Sequence, residues 1–224
     1  MLLGIETSTK NCSIALFKDS VQLGAHDELG DRFVHGERLH VMIQELLHKH
    51  GAIPKDLSGV IIGEGPGSYT GLRIGTSTAK GLAFALHIPM YAVPTLGCFD
   101  FSSFESNYCI SVLDARRDEV FAQVWQNNSG GFEANGDIEA VIVDNESWNH
   151  LRGESVTVIG DCTEKMTKLL SPLPEHWTIV PAAFPSASAM RAFLGPNLQP
   201  VDTAYFEPFY LKDFVVEKSK KEYL

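Results

Sequence analysis

Two short polar stretches carry the residue types that could do chemistry. Gly65-Pro66-Gly67-Ser68-Tyr69-Thr70-Gly71, with Arg73 just beyond, is glycine-rich and leads into an apolar run. Glycines let a backbone adopt positive φ and approach a ligand closely. Amides at the start of a helix favour an anion, and Ser68 or Thr70 can cap that helix. The stretch is therefore a candidate phosphate cradle. It lacks the Gly-Lys-Ser/Thr of a Walker loop, and a tight strand-to-helix turn would use the same glycines. The second stretch, Glu6-Thr7-Ser8-Thr9, sets one acid ahead of three hydroxyls in a hairpin. On its residues alone it reads as an ordinary polar turn.

Other constellations exclude chemistries. His35, His40, His48 and His50 cluster in one region but never in the His-Glu-x-x-His spacing of zinc proteases. They are expected on a solvated helix face. Gly67-Ser68-Tyr69-Thr70-Gly71 is not the Gly-x-Ser-x-Gly of a serine hydrolase. Cys12, Cys98, Cys109 and Cys162 show no C-x-x-C spacing and are expected as buried thiols of a reducing compartment.

The elements that must position these residues follow from periodicity. Leu2–Ile5, Cys12–Phe17 and Val21–His26 read as an antiparallel meander. Apolar residues at Leu39, Met42, Ile43, Leu46 and Leu47 mark a helix over 36–50, with Gly51 and Pro54 as stop signals. Val60–Ile62 is a buried strand. A helix over 72–87 is apolar or small on both stripes, with charge confined to Arg73 and Lys80. Such a helix needs cover on two sides, from the chain or from a partner. Met90–Val93 is a strand, and 95–104 is expected as a short helix. Strands follow at 109–113, 120–125, 138–143 and 156–159, a loop or hairpin at 127–136, and a helix at 163–170. Recurrent prolines after Pro172 make the later part less regular, and the charged end, 213–224, is expected to fray or form a surface helix.

The bulk numbers narrow the functions. The chain has 224 residues and a formal net charge of −10, which opposes unaided binding to a phosphate backbone. The first residues lack the basic and long apolar stretches of a signal peptide, and no apolar run nears the roughly 20 residues of a membrane span. A cytoplasmic protein is expected.

The residues also carry a resemblance. The order of strands and helices resembles the βββαβαβα unit of the actin-like ATPases. Gly65-Pro66-Gly67-Ser68-Tyr69-Thr70-Gly71-Leu72-Arg73-Ile74-Gly75 resembles the signature of the bacterial TsaB (YeaZ) family. Ile5-Glu6-Thr7-Ser8-Thr9, Asp114-Ala115-Arg116-Arg117-Asp118-Glu119-Val120-Phe121 and Pro208-Phe209-Tyr210-Leu211-Lys212 resemble its further motifs, in order along the chain. The resemblance implies a two-lobed α/β actin-like (ribonuclease H-like) fold, with lobes at 1–104 and 105–212, the second shorter and degenerate. It implies a non-catalytic subunit that supports TsaD, with the ATPase TsaE, in making threonylcarbamoyladenosine beside the tRNA anticodon, touching tRNA only indirectly. A homodimer is expected when the chain is alone. In actin-like ATPases the turn matching Glu6, Thr7, Ser8 and Thr9 cradles phosphates and metal, which makes it the candidate vestigial nucleotide site. The stretch Pro94–Phe99 has no histidine where TsaD relatives have two metal ligands, and Gly160-Asp161-Cys162 is poor in glycine for an adenosine turn. No cofactor or catalytic metal is expected. Leu39, Met42, Ile43, Leu46, Ile74, Thr78 and Gly81 are the candidate partner interface; the first four could supply core or interface, with core expected for most of them, and Ile74, Thr78 and Gly81 come foremost because small residues admit a close helix. The alternative is a small-molecule kinase or ATPase of the same superfamily. The roles of Arg73 and Arg116 stay open between tying loops together and touching a partner.

Overall fold

The structure, a computed structural model, describes residues 1–30 and 34–212. The expected tail at 213–224 lies outside the described residues. The first sheet opens with β1 (Leu2–Glu6), β2 (Asn11–Lys18) and β3 (Val21–Leu29), an antiparallel meander. β4 (Gly59–Gly63) and β5 (Met90–Val93) then add in parallel beside β1. Leu3, Ile5, Ile14, Leu16, Val60 and Ile62 alternate onto one face of this sheet and are wholly buried there. Against that face pack α1 (His35–Lys49) and α2 (Tyr69–Leu86).

α1 forms because its apolar stripe can be buried and its end is well capped. Leu39, Met42, Ile43, Leu46 and Leu47 are at most 6% exposed, each burial contributing about 1.5–3 kcal/mol. Gly51 at φ 63 reverses the chain; its amide donates to the His48 carbonyl at 3.0 Å and Ala52 to the Leu47 carbonyl at 2.9 Å. These two hydrogen bonds satisfy carbonyls that the helix end would otherwise leave open. α2 starts where Ser68 Oγ accepts from the Gly71 amide at 3.3 Å, three residues before the expected start at 72. It ends at His87 in the left-handed region, φ 55, ahead of Pro89.

The second sheet repeats the plan with losses. β6 (Tyr108–Asp114) and β7 (Glu119–Asn128) are antiparallel, β8 (Gly131–Ala134) and β9 (Glu139–Ile142) both flank β7, and β10 (Val156–Gly160) and β11 (Trp177–Ile179) run parallel to β6. Its α-helix, α3 (Thr163–Leu169), has 7 residues, and the place of an α1 counterpart is filled by turns around a 3-10 stretch, Asn149–Leu151. The second half is degenerate, as expected, with its α-helices reduced to α3. The chain then returns: a 3-10 helix, Ala187–Phe193, packs on the first sheet, and β12 (Pro200–Val201) pairs with β5. A division at 104/105 by chain position therefore differs from the division by sheet, since residues 187–201 lie with the first lobe.

The expected helix at 95–104 is a single 3-10 turn, Thr95–Gly97. Asp100 Oδ1 accepts from the Ser102 amide at 3.0 Å, a local turn that competes with helix. The irregular path also frees the aromatics to plug the joint between sheets. Phe101 lies 5.4 Å from Trp125 and 5.6 Å from Phe132, ring centre to ring centre. Leu96 and Phe99 are buried with Cys109, Leu113, Trp125 and Ile159 of the second sheet.

Cys12, Cys98, Cys109 and Cys162 are all free and buried. Burial pushes the Cys12 thiol up to about 12 and raises the other three as well. Since the thiolate is the reactive species, native protein at pH 8 should give no Ellman reaction over minutes, and all four thiols should react once urea is added. Rapid reaction of the native protein would mean that these buried sites open readily.

Candidate functional site

The two chemistry-bearing stretches meet. The β1–β2 turn and the β4–α2 loop lie side by side, and the glycines are where they touch. A Cβ on Gly67 would stand 2.6 Å from both the Ser8 Cβ and carbonyl oxygen; on Gly71, 2.1 Å from the Thr7 carbonyl oxygen; on Gly75, 2.2 Å from Thr7 Oγ1. Real Cβ atoms do not come so near, so only glycine serves here. Hydrogen bonds knit the contact: Ser68 N donates to Ser8 O at 2.7 Å and Thr7 Oγ1 donates to Gly71 O at 2.9 Å. The signature loop thus spends its glycines on its own chain. Thr7, Ser8 and Thr9 are at most 5% exposed, packed under the loop. Pro66 follows Gly65 through a cis bond, and Thr70 is exposed on the first turn of α2.

Glu6 sits at the bottom of this contact, wholly buried. Its Oε1 accepts from the Ser8 amide at 2.7 Å and its Oε2 from Thr95 Oγ1 at 3.1 Å. Gly63 lies so close that a Cβ there would meet Oε2 at 1.9 Å. Thr95 in turn accepts from the Gly65 amide at 3.0 Å. The carboxyl therefore faces inward and ties β1, β4 and the Thr95 turn together. Burial raises its pKa, opposed by the bonds from Ser8 and Thr95. A carboxyl with a raised folded pKa favours folding below its unfolded pKa of 4.5 and loses that contribution as pH rises through the folded value. Glu6→Gln removes the buried charge and keeps the shape. It should raise stability at pH 8, and the gain should shrink towards pH 4. Urea titrations of both proteins at the two pH values measure it; a Glu6→Gln variant less stable than wild type at pH 8 would contradict the assignment.

His35, expected on a solvated face, is 1% exposed. Its Nε2 donates to the Thr9 carbonyl at 2.7 Å and its ring lies against Gly71, fastening the start of α1 to the same turn. Burial lowers its pKa. His40 and His48 are exposed as expected, while His50 is half-buried against Gly24. Among the described residues no group of three His, Cys, Asp or Glu side chains is placed to hold a metal.

In the second lobe, Gly160-Asp161-Cys162 is also closely packed: a Cβ on Gly160 would stand 1.9 Å from the Val112 carbonyl oxygen. Asp161 Oδ1 accepts from the Asp114 amide at 2.9 Å, and burial raises its carboxyl pKa. Lys165 Nζ donates to Asp114 Oδ1 at 2.8 Å and to the Glu119 carbonyl at 2.6 Å, holding the 114–119 turn. Arg116 and Arg117, exposed at φ 71 and 51, form its tip.

The proposed interface residues divide. Leu39 and Met42 are 0% exposed, Leu46 3%, Ile43 and Thr78 6%. All five are covered, the four α1 residues in the core, so they cannot offer themselves to a partner; the same stripe that predicts a helix is the stripe that its own sheet buries. Ile74 is half-buried, with Gly36 of α1 beside it. Gly81 is exposed with open space around it. What lies outward on α2 is Thr70, Arg73, Ser77, Gly81, Phe84 and Ala85, and Phe84 is 78% exposed. On α1, Val41 is 39% exposed. Phe84 lies on one of the two apolar stripes of the helix over 72–87, and only its exposure marks it.

Two sheets built on one plan, each a meander extended by parallel strands, joined by a short linker with a loop–turn contact at the ends of β1 and β4, define the ribonuclease H-like, actin-like ATPase class. A family profile described as "TsaD: tRNA N6-adenosine threonylcarbamoyltransferase" matches residues 33–141. The tRNA threonylcarbamoyladenosine biosynthesis protein TsaB of Escherichia coli is 37% identical over 163 residues, 70% of each chain. That of Bacillus subtilis is 34% identical over 133 residues, 59% of this chain and 58% of its own. Among solved structures, YeaZ from Pseudomonas aeruginosa aligns with a TM-score of 0.76 at 26% identity, covering 94% of this chain and 99% of that one. A further crystal structure, of a protein with similarity to peptidase YeaZ from the same organism, aligns at 0.81 and 26%, with the same coverage. The chain belongs to the TsaB (YeaZ) family. Among the described residues no helix is long and apolar enough to cross a membrane.

Proposed function

We propose that this chain is a non-catalytic subunit in the biosynthesis of threonylcarbamoyladenosine in tRNA, and that it acts by docking to TsaD. The observation that carries the reading is the closure of the signature loop on the Thr7–Ser8 turn. Gly67, Gly71 and Gly75 admit no more than a hydrogen atom against that turn, and Glu6 is turned inward to protein donors. Residues that would grip a phosphate and its metal are engaged with one another. The net charge of −10 favours leaving tRNA to another subunit. TsaE joins the assembly as its ATPase, and a second copy of this chain takes the docking face when TsaD is absent.

The docking face is the outer stripe of α2, Thr70, Ser77, Gly81 and Phe84. Small residues let a partner helix approach, and Phe84 supplies a large apolar anchor. This replaces the α1 core residues in the interface. Ile74→Glu would put a charge where α1 covers half the side chain, so it probes folding as much as docking; Gly81→Arg and Phe84→Glu are the cleaner variants. The test is titration of purified chain with TsaD, followed by ATP hydrolysis by the chain alone. Nanomolar-to-micromolar binding without turnover is expected. Metal-dependent turnover by the lone chain, lost in Glu6→Ala, would establish the kinase or ATPase alternative instead.

A further inference from the structure

α2 carries two charges, Arg73 and Lys80, and both reach the same segment. Lys80 Nζ donates to the carbonyls of Ala204 and Phe206 at 2.9 and 3.0 Å. Nearer the start of the helix, Arg73 Nε donates to Tyr210 Oη at 3.2 Å, and the guanidinium lies 4.1 Å over the Tyr69 ring. Tyr69 and Tyr210 are 5.1 Å apart, centre to centre. Between these ties, Phe209 N donates to Glu64 O at 2.7 Å, and Gly65 is pressed so close that a Cβ would stand 2.6 Å from Phe209 O. Residues 204–210 therefore run back along α2 from its middle to its first turn. The chain then crosses to the other lobe, where Lys212 pairs with Glu119 of β7 and its ammonium lies 6.0 Å from the Phe121 ring centre.

We infer that residues 202–212 are a strap that braces the docking helix against the second lobe, latched by the Lys212–Glu119 pair. This supplies part of the second-side cover that an all-round apolar α2 requires. It also gives Arg73 a role: the cation holds two tyrosines and the strap together. The strap leaves Ser77, Gly81 and Phe84 uncovered, so it shapes the docking stripe without occupying it. The consequence for docking rests on the reading of α2 as the partner face; the brace itself does not.

Amide exchange followed by mass spectrometry on the full chain tests the brace. The strap and the first turns of α2 should be protected in the wild type. Tyr210→Ala and Lys212→Glu should each speed exchange of 203–210 at least tenfold, and Glu119→Lys added to Lys212→Glu should restore protection. Exchange in the wild type at the rate of an unstructured chain, or no change in either variant, would overturn the brace. Affinity for TsaD then tests its consequence. Lys212→Glu should weaken binding about tenfold and the charge swap should recover it. If Lys212→Glu binds normally while Phe84→Glu does not, the strap plays no part in docking and the docking face stands. If Phe84→Glu also binds normally, the docking face has failed, and the exchange data still decide the brace.

Discussion

Gly71→Ala should lower the stability of the chain by about 3 kcal/mol or more, although alanine is the better helix former by about 1 kcal/mol. Gly71 lies in the first turn of α2, and its Cβ would meet the Thr7 carbonyl oxygen at 2.1 Å. That atom is backbone and cannot rotate away. The Thr7 Oγ1 bond to Gly71 O and the Ser68 bond to Ser8 would have to part, and with them the seat of His35. Gly81, further along the same helix, is the internal control, since its Cβ meets nothing within 4 Å. Gly81→Ala should be stabilising by about 0.5–1 kcal/mol. Urea midpoints at unchanged m-value measure both. Equal stability of the two variants would mean that the loops are not held as tightly as the contact implies.

The second large effect is on association. Gly81→Arg should weaken binding to TsaD at least about 100-fold, or about 2.7 kcal/mol, while the isolated chain stays as stable as the wild type. The long side chain starts in open space, so the fold has no reason to object, but a helix packed against this stripe would have to withdraw. Phe84→Glu should act similarly by replacing the apolar anchor with a charge that loses its hydration at the interface. Calorimetric titration and thermal melting of the same preparations separate the two quantities. Binding at wild-type affinity by both variants would move the interface elsewhere.

Much of the architecture was legible because periodicity reports burial. The meander, both long helices and the parallel strands all follow from alternating or 3.6-residue apolar patterns, and Gly51 marks the end of α1 by its conformational freedom. What the pattern cannot report is the identity of the covering surface. Leu39, Met42, Ile43 and Leu46 read as core or interface, core for most of them, until the sheet is seen beneath all four. The helix expected at 95–104 does not form because Phe101 packs on Trp125 and Phe132 of the second lobe, with Phe99 and Phe104 against Phe101, instead of following helical spacing. The glycine motif was visible as a motif, but the reason for Gly71 lies 64 positions away, at Thr7, and no local rule distinguishes a glycine that admits a ligand from one that admits a neighbouring turn. Arg73 likewise finds its partner 137 positions on, at Tyr210. Burial of His35 had one faint signal, its place at the first position of a helix following an apolar residue.

Product formation in a reconstituted system bears most directly on the division of labour between cradle and docking face. TsaD, TsaE, the enzyme that makes the threonylcarbamoyl carrier, tRNA and ATP would be combined with wild-type, Glu6→Gln or Gly81→Arg chain, or with none. The modified nucleoside should form at the same rate with wild-type and Glu6→Gln, and should be lost with Gly81→Arg as fully as when the chain is omitted. Loss of product with Glu6→Gln in complexes that still assemble would show that the buried carboxyl takes part in the chemistry, and the chain would have to be counted as a catalyst.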